Sequence, residues 1–190
     1  DKRYFNFPVC LLSEFMERKD DVLIDILYFA LYTHAMSLEY GSIKKRFCES
    51  IDYFGVKLSH PHTSLMKAEE LHETYEDEKV KVGISKEMYF DFLNNPKTEF
   101  ENITLLAYLA LRSILLNKPY CKMVNLFWLS RMDGNPKTLK LKEDLTPAIQ
   151  KYANEYQLNK IKSELIENWN LVYYSRYTRG FYASFKLSLE

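Results

Sequence analysis

The chain has 190 residues, 47 % of them apolar and 27 % charged, with 26 Lys and Arg against 26 Asp and Glu. That is the make-up of a globular protein of one large or two small domains, and no apolar run reaches the roughly 18 residues that a membrane-spanning helix needs. Zero net charge hides an asymmetry: residues 1–101 carry 13 basic and 19 acidic side chains, whereas residues 102–190 carry 13 and 7, which points to different partners for the two halves or to their mutual attraction.

Aromatic content is high, with 15 Tyr and 12 Phe, while only 5 Gly and 6 Pro occur. Long helices, few tight turns and well-filled cores are therefore expected. No positively charged stretch followed by an apolar region marks a signal peptide, and a chain beginning at Asp1 is expected to be a trimmed form of a longer one. Cys10, Cys48 and Cys121 are odd in number and far apart, so free thiols and a cytoplasmic setting are expected rather than a disulfide framework. His60, His62, His72 and Cys48 follow no standard zinc spacing. Neither a metal nor a cofactor is expected.

In chain order, the first strong helix spans Asp21 to Glu39. It is apolar nearly all round, as a central core helix is, with acidic residues at its start and Gly41 after its end. A second helix runs from Ile43 to Phe54 and stops at Gly55. A third follows Pro61 and reaches Tyr75. Val80, Val82 and Ile84 alternate as in a short strand. Asn94, Asn95 and Pro96 break the chain, and Thr98 with Glu101 forms a capping box for the next apolar helix. The expected fold class is thus mainly α with short β-hairpins (α+β). The expected division is an acidic, mostly helical domain over 1–95 and a basic domain over 96–190.

In the second half, "KPYCKM" reads as extended, "VNLFWLSRM" as a short helix ending at Asp133-Gly134, and "NPKTLKLKED" as a basic loop. Thr146 is expected to cap a helix with Pro147 at its first position, running through "PAIQKYANEY". "YFAL" at Tyr28–Leu31 and "YLAL" at Tyr108–Leu111 occupy similar places in the two long helices. Two related helical units are one reading of this; the other is that any two buried helices share Tyr, Ala and Leu.

At 100° per residue, Leu158, Ile161, Leu165, Ile166 and Trp169 gather on one side of a helix, with Lys160, Ser163 and Glu167 opposite and Asn159 toward the edge. Lys162 falls inside the apolar stripe, and snorkelling at the rim is the expectation for it. A short helix, a tight break and a longer amphipathic helix make a helix-turn-helix plan. Then comes "NLVYYSRYTRGFYASF". With Thr178-Arg179-Gly180 as a three-residue loop and Gly180 left-handed, Tyr177 faces Phe181, Ser175 faces Ala183 and Tyr173 faces Phe185. Leu171 and Leu187 extend this apolar face. The opposite face carries Val172, Tyr174, Arg176, Tyr182, Ser184 and Lys186, with Arg179 at the tip.

In this order of elements the last forty residues resemble the C-terminal part of a winged-helix domain: Pro147 to Glu155 as positioning helix, Leu158 to Trp169 as recognition helix, and Leu171 to Leu187 as wing. If the first half is a second copy, the whole resembles the tandem winged-helix replication initiators of plasmids and phages. The resemblance implies binding of double-stranded DNA as a replication initiator or transcription regulator. It puts Asn159, Lys160 and Ser163 in a major groove and the wing residues Arg176, Tyr182 and Lys186 on the backbone, with Arg179 at the tip reaching phosphate or a minor groove. Lys118, Lys122, Arg131, Lys137, Lys140, Lys142 and Lys151 extend the set of candidate phosphate contacts. The chain carries no Gly-rich phosphate loop, GxSxG or HExxH, so no enzyme is expected. The alternative is a protein–protein interaction module on the same scaffold without DNA, with the acidic half taking a protein partner.

Overall fold

The computed structural model describes residues 3–174 and 180–185. The α+β class is as expected: the chain is mainly helical, with two small antiparallel sheets. Helix α1 (Lys19–Ser37) is buried on most of its circumference, through Leu23, Ile26, Phe29, Leu31 and Ala35. It starts and stops two residues before the expected bounds. Arg18, just before it, bonds both Glu14 and Asp21, and the Ser37 hydroxyl closes the last turn on the His34 carbonyl at 2.6 Å.

Helices α2 (Ile43–Phe54) and α3 (Pro61–Tyr75) have the expected bounds. The Ser42 hydroxyl accepts from the Lys45 N–H at the start of α2, and Pro61 opens α3, where a missing N–H costs nothing. Both pack on α1. Strand β1 (Tyr4–Pro8) pairs antiparallel with β2 (Lys81–Ser85), from Tyr4↔Ser85 to Pro8↔Lys81. Its Phe5 and Phe7 are fully buried. Ser85 ends β2 and also caps α4 (Lys86–Asn94), accepting from the Met88 N–H. Neither β1 nor α4 is among the sequence expectations.

One part-buried interaction on α1 involves a titratable group. The Ser50 hydroxyl donates to the Arg46 carbonyl at 2.9 Å. Its lone pair therefore accepts from His34 Nδ1–H, 2.8 Å away. The His34 ring stacks on Tyr53, and burial holds its pKa below the usual histidine value. The unfolded chain thus takes up this proton at higher pH than the folded one. Stability should fall as pH drops through about 6.5 toward the lower folded value. His34→Gln should lose less of its urea midpoint between about pH 7 and 5 than the parent does.

Helix α5 (Glu99–Leu115) has the expected capping box, with Glu101 Oε2 accepting from the Thr98 N–H and Thr98 Oγ1 accepting from the Glu101 N–H. It packs on β2 and on the 3-10 turn Val9–Leu12, and also on the two longer helices of the second half, so one apolar core runs unbroken through the chain. Tyr28–Leu31 and Tyr108–Leu111 lie in the middle of α1 and α5, but different elements follow: two helices and a strand after α1, a strand first after α5.

The second half continues with β3 (Cys121–Met123), α6 (Asn125–Met132), α7 (Pro147–Gln150), α8 (Glu155–Asn168), β4 (Val172–Tyr174) and β5 (Phe181–Ser184). The sheet order is β3-β5-β4, with β5 antiparallel to both neighbours. The expected helix "PAIQKYANEY" is corrected to the single turn of α7. Asn154 intervenes: its side chain accepts from the Gln157 N–H and starts α8 at Glu155, earlier than the expected Leu158.

The hairpin register is also corrected. Tyr173 pairs with Ala183 rather than Phe185, a slip of two positions, and an even slip keeps the strand's alternation of faces. The expected loop Thr178-Arg179-Gly180 lies largely outside the described residues. What demands a glycine at Gly180 is proximity, since a Cβ would sit 2.6 Å from the Met123 carbonyl oxygen. Ser184, expected on the outer face, is buried with its hydroxyl on the Pro119 carbonyl at 2.6 Å.

Candidate nucleic-acid interface

The segment before α7 is anchored by a buried polar cluster at the end of α6. Ser130 accepts from the Leu139 N–H and donates to the Leu126 carbonyl. Asp133, 4 % exposed, takes both the N–H (2.8 Å) and the hydroxyl (2.6 Å) of Thr146. Thr146 therefore stands at the N-cap of α7 without capping it by its side chain; the hydroxyl is committed to Asp133. Burial raises the Asp133 pKa, and these two bonds oppose the rise. Ile149 and Tyr152 then pack inward. Glu99, in the first turn of α5, accepts from the Tyr152 hydroxyl at 2.9 Å and pairs with Lys151. Four residues, 151–154, separate α7 from α8, the spacing of a helix-turn-helix.

Helix α8 presents Leu158, Ile161 and Leu165 to the core. Two positions of the expected stripe are corrected. Ile166 is exposed. Lys162 does not snorkel: it is 7 % exposed, with Nζ 3.2 Å from Asn125 Oδ1 and 4.1 Å from the centre of the Phe181 ring. Burial lowers the lysine pKa, and the charge of Glu155 opposes the fall. Trp128, fully buried, lies under the same ammonium and donates from Nε1 to the Ala107 carbonyl at 3.0 Å. Lys162 and Trp128 thereby fix α8 to the sheet and to α5.

The outward side of α8 carries Asn159, Lys160 and Ser163, all exposed, together with Tyr156 and Glu167. Lys160 Nζ stands 4.6 Å above the Phe100 ring, which places its charge toward α5. The structure thus brings three of the seven expected contact residues onto one helix face.

Tyr182 lies elsewhere. On β5, Phe181 and Ala183 are buried on the side of Lys162 and Trp128, whereas Tyr182 pairs with Lys122 of β3 on the other side and meets the Tyr120 ring. Arg176, Arg179 and Lys186 lie outside the described residues. Of the wider cationic set, Arg131 is 5 % exposed and is no surface contact, and Lys151 is paired with Glu99.

A second feature beside α8 has no counterpart in the sequence expectations. Glu87 and Asp91 of α4, Glu101 of α5 and Glu164 of α8 line one cleft, along with Trp169 and Tyr108. Asp91 accepts from Lys97 and Asn95, which hold its carboxyl below the usual range. The sequence signal is present only in pieces, because these carboxylates come from three helices.

Among the described residues no helix is long and apolar enough to cross a membrane, and no group of three or more His, Cys, Asp or Glu side chains is placed to hold a metal ion. Compared with protein-family models, curated proteins and solved structures, the chain matches none.

Proposed function

We propose that this chain binds double-stranded DNA in the cytoplasm through a winged helix in its C-terminal half, as a replication initiator or transcription regulator. The observation that carries the reading is the order α7, four-residue turn, α8, hairpin, with Asn159, Lys160 and Ser163 together on the free side of α8. A helix so placed can enter a major groove, where Asn reads adenine edges and Lys reads guanine edges. Arg176 and Arg179, in the connection between β4 and β5, supply backbone contacts.

The test is fluorescence anisotropy of the whole chain with a random-sequence duplex at low and moderate salt. Binding should weaken steeply with salt. Arg176→Ala/Arg179→Ala should lower the slope of log K against log salt by about 2, one for each phosphate no longer neutralised. Lys160→Ala should weaken binding to a selected site as well. Equal slopes for parent and double variant would remove the wing from the interface.

The acidic cleft favours a second reading, in which the same scaffold holds a protein partner. Lys97 pairs with Asp91 in this cleft, and the remaining Glu87, Glu101 and Glu164 beside α8 repel a phosphate backbone and suit a basic peptide. Absence of duplex binding at low salt by the folded chain would select it.

A further inference from the structure

On the side of the sheet away from α8, an open cleft of about 510 Å³ lies where the two halves meet. Lys79 and Lys81 line it from the first half, the Lys81 ammonium turning to the Glu76 carbonyl and the Phe29 ring, and Lys118, Lys122 and Arg131 line it from the second; among the described residues no carboxylate lines it. This gathering crosses the acidic half's own charge pattern, for Lys79 and Lys81 closely follow the run Glu76-Asp77-Glu78.

Arg131 distinguishes the cleft from a patch of solvated lysines. It is 5 % exposed. One guanidinium nitrogen donates to Ser113 Oγ at 3.1 Å and another to the Pro136 carbonyl at 3.2 Å. Its Nε has no hydrogen-bond partner, and no carboxylate pairs with it among the described residues. A buried cation held by neutral acceptors alone is costly. Burial duly lowers its pKa, but a guanidinium remains charged. An anion in the cleft would supply the missing countercharge, and low-dielectric walls focus the field of Lys79, Lys118 and Lys122 on it. At the lip, Leu116 ends α5 with φ of 50°, exposed and lining the cleft, a conformation that a leucine side chain disfavours. Tyr120 stands beside it.

We propose that this cleft is a binding site for a small ligand bearing a chain of two or three phosphates. Its volume falls in the range of small-ligand sites and is far too small to enclose a duplex. Lys79, Lys118, Lys122 and Arg131 exceed what a single carboxylate needs, while a triphosphate carries charge enough to engage several at once. The site is separate from the DNA-binding reading, which rests on α8 and the hairpin.

The experiment is calorimetric titration of the whole chain with inorganic tripolyphosphate at low salt, in parallel with a nucleoside triphosphate. One equivalent should bind saturably. Lys118→Gln/Lys122→Gln, both exposed positions, should weaken binding at least about tenfold, and Lys160→Gln on α8 should leave it unchanged. Tighter binding of the nucleoside triphosphate would place a base beside Tyr120, and equal binding would assign recognition to the phosphates alone. The proposal is overturned by absence of saturable binding to folded protein, or by equal affinity in the double variant. It is overturned too if the double variant loses duplex binding in step with tripolyphosphate, since the cleft would then be part of a nucleic-acid surface.

Discussion

Trp128→Ala should lower the stability of the chain by about 3–5 kcal/mol, the largest loss expected of any single truncation here. The indole is fully buried between α5 and the sheet, its N–H on the Ala107 carbonyl and its ring edge against Phe181. Removing it empties the largest side-chain volume of the core and deletes the second hydrogen bond of the Ala107 carbonyl, which lies in the interior of α5. It also uncovers Lys162, whose ammonium lies 5.8 Å from the indole. At roughly 2–4 °C per kcal/mol for a chain of this size, the midpoint of thermal unfolding should fall by about 6–20 °C. Trp128→Phe keeps most of the volume and loses the hydrogen bond, so it should cost about 1–3 kcal/mol. Urea denaturation of the two variants separates the volume from the bond; equal losses would show that the bond carries the effect.

Gly134→Ala should cost about 2–4 kcal/mol, from two sources. With φ of 77° the residue sits where an L side chain is penalised by roughly 1–2 kcal/mol. A Cβ there would also lie 2.7 Å from the Ser13 nitrogen and 2.9 Å from its Cα. Ser13 is itself tied back to the Cys10 carbonyl, and backbone so held does not yield as a flexible side-chain end would. Gly134→Asn divides the sources, because asparagine tolerates the left-handed region but brings the same Cβ. If contact with Ser13 governs, Asn should be nearly as damaging as Ala in chemical denaturation. If conformation governs, Asn should recover most of the loss.

Much of the helical frame is legible because its punctuation is local. Ser42 and Gly55 bracket α2, Pro61 opens α3, and Thr98 with Glu101 starts α5; each acts within one turn of its helix. Elements whose cause lies far along the chain are not legible. The alternation Tyr4-Phe5-Asn6-Phe7 becomes a strand only through Lys81–Ser85. Helix α4 follows β2 without a breaking residue, because Ser85 serves both. The hairpin register is misplaced for a similar reason. Gly180 reads as a turn residue, whereas β3, supplied from nearly sixty positions upstream, sets its requirement through the Met123 carbonyl. At the site, periodicity identifies the free side of α8 but not the fate of Lys162, whose partners Asn125 and Phe181 come from α6 and β5. The cationic cleft is beyond reach of periodicity altogether, since Lys79 and Arg131 meet only through the packing of the two halves.

Helix α5 touches β2 and the Val9–Leu12 turn on one side and α6 and α8 on the other. Neither half can therefore open without stripping a helix the other needs. Amide protons of α5 should exchange last and through global unfolding alone, and denaturant should melt the acidic and basic halves in one transition. Any partner gripping α8 or the cleft then protects the far helices α1 to α3 by the same free energy, so the whole chain reports on occupancy at either place.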